Sequence, residues 1–161
     1  MSSRNCQPIA ANRQLQEPLM SEVKIVEVDE QLHAFTNMRP GTRMVAVQVP
    51  TDRAVTLHAT VNARMLQRVQ IWDAEGRMHF EWEGRGEQRT LGAGSRTFSN
   101  PPLLIGCQSL RVEHWIVNDI NVCADSNDGQ RRVLIRYEDG GDVPVDWDDT
   151  IVELTWAEPA A

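Results

Sequence analysis

Positive charge is scarce in this chain: 16 Lys and Arg stand against 23 Asp and Glu, a formal net charge of -7. A protein that holds nucleic acid or an anionic membrane surface by bulk electrostatics needs the opposite balance, so neither partner is expected. Cysteine is scarcer still, with Cys6, Cys107 and Cys123 forming an odd set that contains no C-x-x-C pair. That leaves no metal-type cysteine spacing and predicts no disulfide framework. Long apolar runs are missing too. No stretch approaches membrane-spanning length, so no membrane insertion is expected. Asn12, Arg13, Gln14 and Gln16 interrupt the N-terminal region where a signal peptide would keep its apolar core. The expected location is therefore cytoplasmic, with leaderless export compatible with the same sequence. There is no internal repeat and no low-complexity tract. What remains is 161 residues, 41% hydrophobic and 24% charged, which is one domain's worth of ordinary globular chain.

The hydrophobic pattern has period two. Val55, Leu57, Ala59 and Val61 alternate with Thr56, His58, Thr60 and Asn62, the signature of a half-buried strand. Val69 to Asp73 and Met78 to Glu83 flank the turn residues Asp73-Ala74-Glu75-Gly76 and predict a hairpin. Further strands are expected at 44–49, 110–117, 132–137 and 150–156. They are punctuated by Gly84-Arg85-Gly86, Gly92-Ala93-Gly94, Asn100-Pro101-Pro102 and Asn127-Asp128-Gly129. Helical signal is confined to Asp29, placed to cap a turn or two through Phe35. The expectation is an all-β fold, a single antiparallel β-sandwich of jelly-roll type over 23–161, preceded by a mobile N-terminal extension over 1–22.

One segment breaks the even spread of charge. Between Glu138 and Asp149 lie six acids, Glu138, Asp139, Asp142, Asp146, Asp148 and Asp149, and no base. Their mutual repulsion opposes folding unless a cation neutralises it, and carboxylate oxygens suit calcium, which takes six to eight hard oxygen ligands. Gly140-Gly141 allows a sharp turn and Pro144 fixes the excursion between the two groups of acids. In an extended Asp146-Trp147-Asp148 the carboxylates share one side while the Trp147 indole turns to the core. The segment lacks the EF-hand order of ligands and has strands on its flanks.

Glu138-Asp139-Gly140-Gly141-Asp142, then Asp146-Trp147-Asp148-Asp149 and the alternating Ile151-Val152-Glu153-Leu154-Thr155-Trp156, resembles the C-terminal signature of the bacterial calcium-mediated lectins that bind fucose and mannose through two adjacent calcium ions. The resemblance implies a calcium-dependent carbohydrate-binding protein, not an enzyme, whose partner is a glycan or monosaccharide. It implies metal ligands at Glu138, Asp142, Asp146, Asp148 and Asp149. Asp146, Asp148 and Asp149 would also touch the sugar, whose hydroxyls complete the coordination. Asp139 is not among the ligands carried over. The family's upstream Asn ligand falls nearest Thr51 or Asp52, so Asp52 joins the sugar-binding candidates. A homo-oligomer is expected, because shallow sugar sites gain from multivalency. The five residues after Trp156 are expected to hang free.

Two other readings compete: a β-sandwich adhesion module whose calcium only rigidifies the loop, and a hydrolase that uses the acids as a general acid and base. Crowded acids serve cation binding better than they poise one pKa. Asn127-Asp128-Gly129 reads as a hairpin turn. His58 and His79 fall on polar faces, and Trp72 and Trp115 are the tryptophans retained as ligand candidates.

Overall fold

The computed structural model describes residues 22–140 and 149–159. The expected extension therefore lies, but for Glu22, outside the described residues. The strands are β1 (Val23–Glu27), β2 (Arg43–Val47), β3 (Val55–Trp72), β4 (Met78–Arg96), β5 (Leu103–Arg111), β6 (His114–Val117), β7 (Asp119–Asn127), β8 (Gln130–Glu138) and β9 (Thr150–Ala157). One helix, α1 (Glu30–Thr36), follows β1. The expected all-β antiparallel architecture is present. The strands form one hydrogen-bonded network in the order β1-β2-β5-β3-β9-β8-β7, with β4 beside β3 and β6 beside β5.

β3 organises the sandwich because it changes partner along its length. Thr56–Val61 pairs with β9, whereas Gln67–Trp72 pairs with β5. β4 accompanies β3 through both halves, with register shifts between Val61 and Gln67. Bulges add bend and twist, and here they fold the β3–β4 hairpin over so that its two halves face each other. The proof lies in β4 itself: Trp82 lies on Gly92, and Phe80 on Gly94. In a straight strand, residues ten apart would be about 33 Å distant. The interior is filled by alternating residues of β3 and of β5, β8 and β9, including Val55, Leu57, Ala59, Val69, Ile71, Ile105, Val133, Ile135, Val152 and Leu154.

These glycines are required by close approach. A Cβ added at Gly92 would sit 2.2 Å from the Trp82 ring, and one at Gly94 would sit 2.6 Å from Phe80. Gly92→Ala is expected to cost about 1–3 kcal/mol through overpacking. Thermal melts should show this as a loss of several degrees, and an unchanged melting temperature would mean the bend is looser than described.

α1 forms as Asp29 predicts: its Oδ1 accepts from the Leu32 amide at 2.8 Å. A smaller apolar cluster of Val28, Met38, Met44, Trp72 and Leu104 packs there, with Leu32 against it. Trp72, 3% exposed, is therefore core and not a ligand residue.

The strand expectations differ from the structure at several places, and β7 and residues 103–109 of β5 lie outside every expected segment. The segments at 55–61 and 69–73 are one bent strand. The expected strand at 110–117 is broken by left-handed Val112 and Glu113, which join β5 to β6. The second half of β4 runs through glycines that read as punctuation. The turn at Asn127-Asp128-Gly129 is as expected, with φ of 53° and 74° at its last two residues. Cys107 is a free, buried thiol. Cys123 is disulfide-bonded, where the odd cysteine count suggested no bridge.

Candidate metal and sugar site

β8 and β9 are antiparallel, with Tyr137 paired to Thr150. The chain leaving β8 and the chain entering β9 therefore lie side by side, which brings Glu138 and Asp139 against Asp149. The Asp139 amide donates to Asp149 Oδ2 at 2.9 Å. The Gly140 amide donates to Glu138 Oε1 at 3.0 Å, in a turn that places Gly140 at φ 81°. One oxygen from each of Glu138, Asp139 and Asp149 lies within 4.8 Å of the others. Glu138 and Asp149 are each 2% exposed.

A buried polar hub forms the floor. Gln67, fully buried where β3 bends, donates through Nε2 to Asp139 Oδ2 at 3.3 Å and to the Met65 carbonyl at 3.2 Å. Its Oε1 accepts from Asn118 Nδ2 at 2.7 Å, Thr150 Oγ1 at 3.0 Å and Ser109 Oγ at 3.2 Å. Arg111 donates from behind to the Asp139 carbonyl. The Asn62 amide donates to the Asp149 carbonyl at 2.9 Å. The bulge that turns the sheet thus also fixes the acids.

The electrostatics are unfavourable without a cation. Burial, together with the neighbouring Glu138 and Asp139, pushes the Asp149 carboxyl up to about 8, against the Asp139 amide that pulls it down. Glu138 Oε2 is buried with no hydrogen-bond partner. No ion pair reaches Glu138 or Asp149 among the described residues. Buried acceptors are almost always satisfied, and a hard cation satisfies this set of oxygens where no donor does. The residues present fit calcium.

Of the residues expected at the site, Glu138 and Asp149 are brought together. Asp142, Asp146 and Asp148, with Trp147, lie outside the described residues. Asp139 belongs to the cluster although the reading of the sequence passed over it. Asp52 does not belong. It lies before the start of β3, paired with Arg53 at 2.9 Å, whereas the cluster adjoins Val61 and Asn62. At roughly 3.3 Å per residue that separation is on the order of 25 Å. Trp115 is half-buried, with the Arg68 guanidinium 4.0 Å over its ring. His79 is not a solvent-facing strand residue: its Nε2 meets Asp73 Oδ2 at 2.9 Å. The tail is also tied down as far as Glu158, whose amide donates to the Gly129 carbonyl at 2.8 Å, with Arg131 3.6 Å from its carboxylate. It leaves β9 at the end opposite Asp149.

Beside the carboxylates opens a groove of about 690 Å³, lined by residues 62–65 of β3, by Asp139 and Asp149, and by Arg85 and Arg89 of β4. This volume lies in the usual range of small-molecule sites, roughly 300–1,000 Å³.

The family model of fucose-binding lectin II (PA-IIL) matches residues 47–158. Among solved structures, the chain is similar to the Chromobacterium violaceum lectin CV2L in complex with α-methyl-fucoside, at 19% identity and a TM-score of 0.59, over 70% of this chain and 94% of that one. It is also similar to a Ralstonia solanacearum high-affinity mannose-binding lectin, at 20% identity and a TM-score of 0.58, over 70% and 94%. The C-terminal domain of the BC2L-C lectin from Burkholderia cenocepacia gives 20% and 0.58, over 70% and 93%. No curated protein matches the sequence.

Proposed function

The chain belongs to the fucose-binding lectin II (PA-IIL) family and is a carbohydrate-binding lectin; from that premise we propose that Glu138, Asp139 and Asp149 hold calcium at the mouth of the groove and that the sugar binds there through it. The observation that carries this reading is the buried, unpartnered Glu138 Oε2 beside two further carboxylates. Bound calcium supplies coordination positions that two neighbouring sugar hydroxyls take in place of water. The chain's own residues do the rest. Gln67 orients Asp139, the Asp139 amide orients Asp149, and the Gly140 amide holds one oxygen of Glu138 so that the other faces the cation. Asp142, Asp146 and Asp148 complete a site for two ions, as the family resemblance implies. Fucose and mannose, bound by the similar lectins, are the first sugars to try. We read the protein as binding sugar without turning it over, because carboxylates that hold a cation are not free to act as general acid and base.

Calorimetric titration with methyl α-fucoside and methyl α-mannoside is expected to give saturable binding in millimolar calcium and none in chelator. Calcium binding without any response to sugars would favour the adhesion-module reading, and sugar binding that survives chelator would exclude a metal-bridged site. A homo-oligomer, visible by light scattering, would raise the avidity of such shallow sites.

A further inference from the structure

We propose that the groove selects acidic glycans, those bearing a carboxylate or sulfate, with Arg85 and Arg89 as the anion-binding pair; this rests on the lectin reading of the adjoining cluster and adds the class of ligand. Arg64, Arg85 and Arg89 all line the groove that Asp139 and Asp149 enter. In a chain with seven more acids than bases, Arg53, Arg68, Arg131 and Arg132 each pair with a carboxylate. Arg64, Arg85 and Arg89 make no ion pair or hydrogen bond among the described residues. Arg89 is also placed by the fold. Its stem lies over Gly86, where a Cβ would come within 2.7 Å of Arg89 Cδ and where φ is 125°. Gln88, at φ 50°, lies in the same irregular stretch of β4, where its register with β3 shifts. A left-handed glycine that leaves room for the arginine stem reduces the freedom the guanidinium must lose on binding.

Charge decides the ligand. Glu87 also lines the groove, so with Asp139 and Asp149 its acids balance the three arginines in the absence of metal. Calcium bound to Asp139 and Asp149 would offset their charge and leave Arg64, Arg85 and Arg89 facing Glu87 alone among the described groove residues. Guanidinium groups bind carboxylate and sulfate through paired, charge-assisted hydrogen bonds, so an anionic substituent beside calcium-bound hydroxyls meets two complementary features at once.

The test uses the full-length, calcium-loaded protein and three probes that share their ring hydroxyls: methyl α-mannoside, its 6-carboxylate (the mannuronide) and its 6-sulfate. The acidic probes are expected to bind about tenfold tighter than the mannoside at low salt, with the advantage shrinking at high salt. In Arg85→Gln/Arg89→Gln, checked for an unchanged melting temperature, the ratio of acidic to neutral affinity should fall to near one. Preference for only one acidic probe would identify the anion and keep the subsite. Mannoside binding without a preference in the native protein, or full preference in the double variant, would overturn the subsite alone. Failure of all three probes overturns the subsite, and failure of methyl α-fucoside as well would overturn the lectin reading with it.

Discussion

Millimolar calcium raises the melting temperature by about 5–10 °C at pH 7.5, since a cation bound only by the folded chain contributes about 2.7 kcal/mol at a hundredfold excess over Kd and each kcal/mol moves Tm by about 2–4 °C at this size. The size of the effect depends on pH in a defined direction. In chelator, the folded Asp149 carboxyl titrates at about 8 instead of 3.8. Its proton is held more tightly in the folded state, so this contribution to stability is complete below about pH 4 and is lost as pH rises through 8. The metal-free protein should therefore weaken between those limits, and calcium should remove most of the decline by replacing the proton. Magnesium should do less, because it keeps its waters and demands a stricter octahedron. Melts across pH 4–9 in calcium, magnesium and chelator measure all of this. Flat curves in every condition would show that the cluster holds no cation.

Glu138→Gln gives the second large effect, and its two halves point in opposite directions. The variant should lose calcium-induced stabilisation and sugar binding, because the oxygen that faces the cation becomes an amide with no charge to offer. In chelator above about pH 8, however, it should melt at or above the native temperature, since one of three crowded carboxylates, two of them buried, is gone. A purely structural role for Glu138 would make the variant less stable in both conditions. Calorimetry with calcium, together with melts in chelator, separates the two accounts.

Much of the fold was legible because burial of one face leaves a period-two trace, as at Val55 to Val61, and because Asp29 and Asn127-Asp128-Gly129 carry local chemistry that acts without tertiary help. The bend was not legible. Gly84, Gly86, Gly92 and Gly94 look like turn residues, yet Gly92 and Gly94 make room for Trp82 and Phe80 from the opposite half of the same strand, which is a contact at long range. Part of the site was legible in the same sense. Glu138 and Asp149 stood out as members of an acidic run. The resemblance carries no ligand onto Asp139, which is brought to the cluster by its bonds to Asp149 and Gln67. Asp52 was chosen by its nearness along the chain in the absence of the strand register. Gln67 left no sequence signal at all, because a lone glutamine in a strand looks like any surface residue until its neighbours are known.

Gln67 joins parts of the chain that are distant in sequence: Ser109 on β5, Asn118 before β7, Asp139 after β8 and Thr150 at the start of β9. Such a junction has no partial form. A chain in which β9 has not yet docked lacks Thr150 and Asp149 together, so it has neither the floor nor the third carboxylate. Cation capture at this site would thereby be coupled to the docking of β9 between β3 and β8. On the calcium reading proposed above, a copy whose β9 is undocked would hold no competent site.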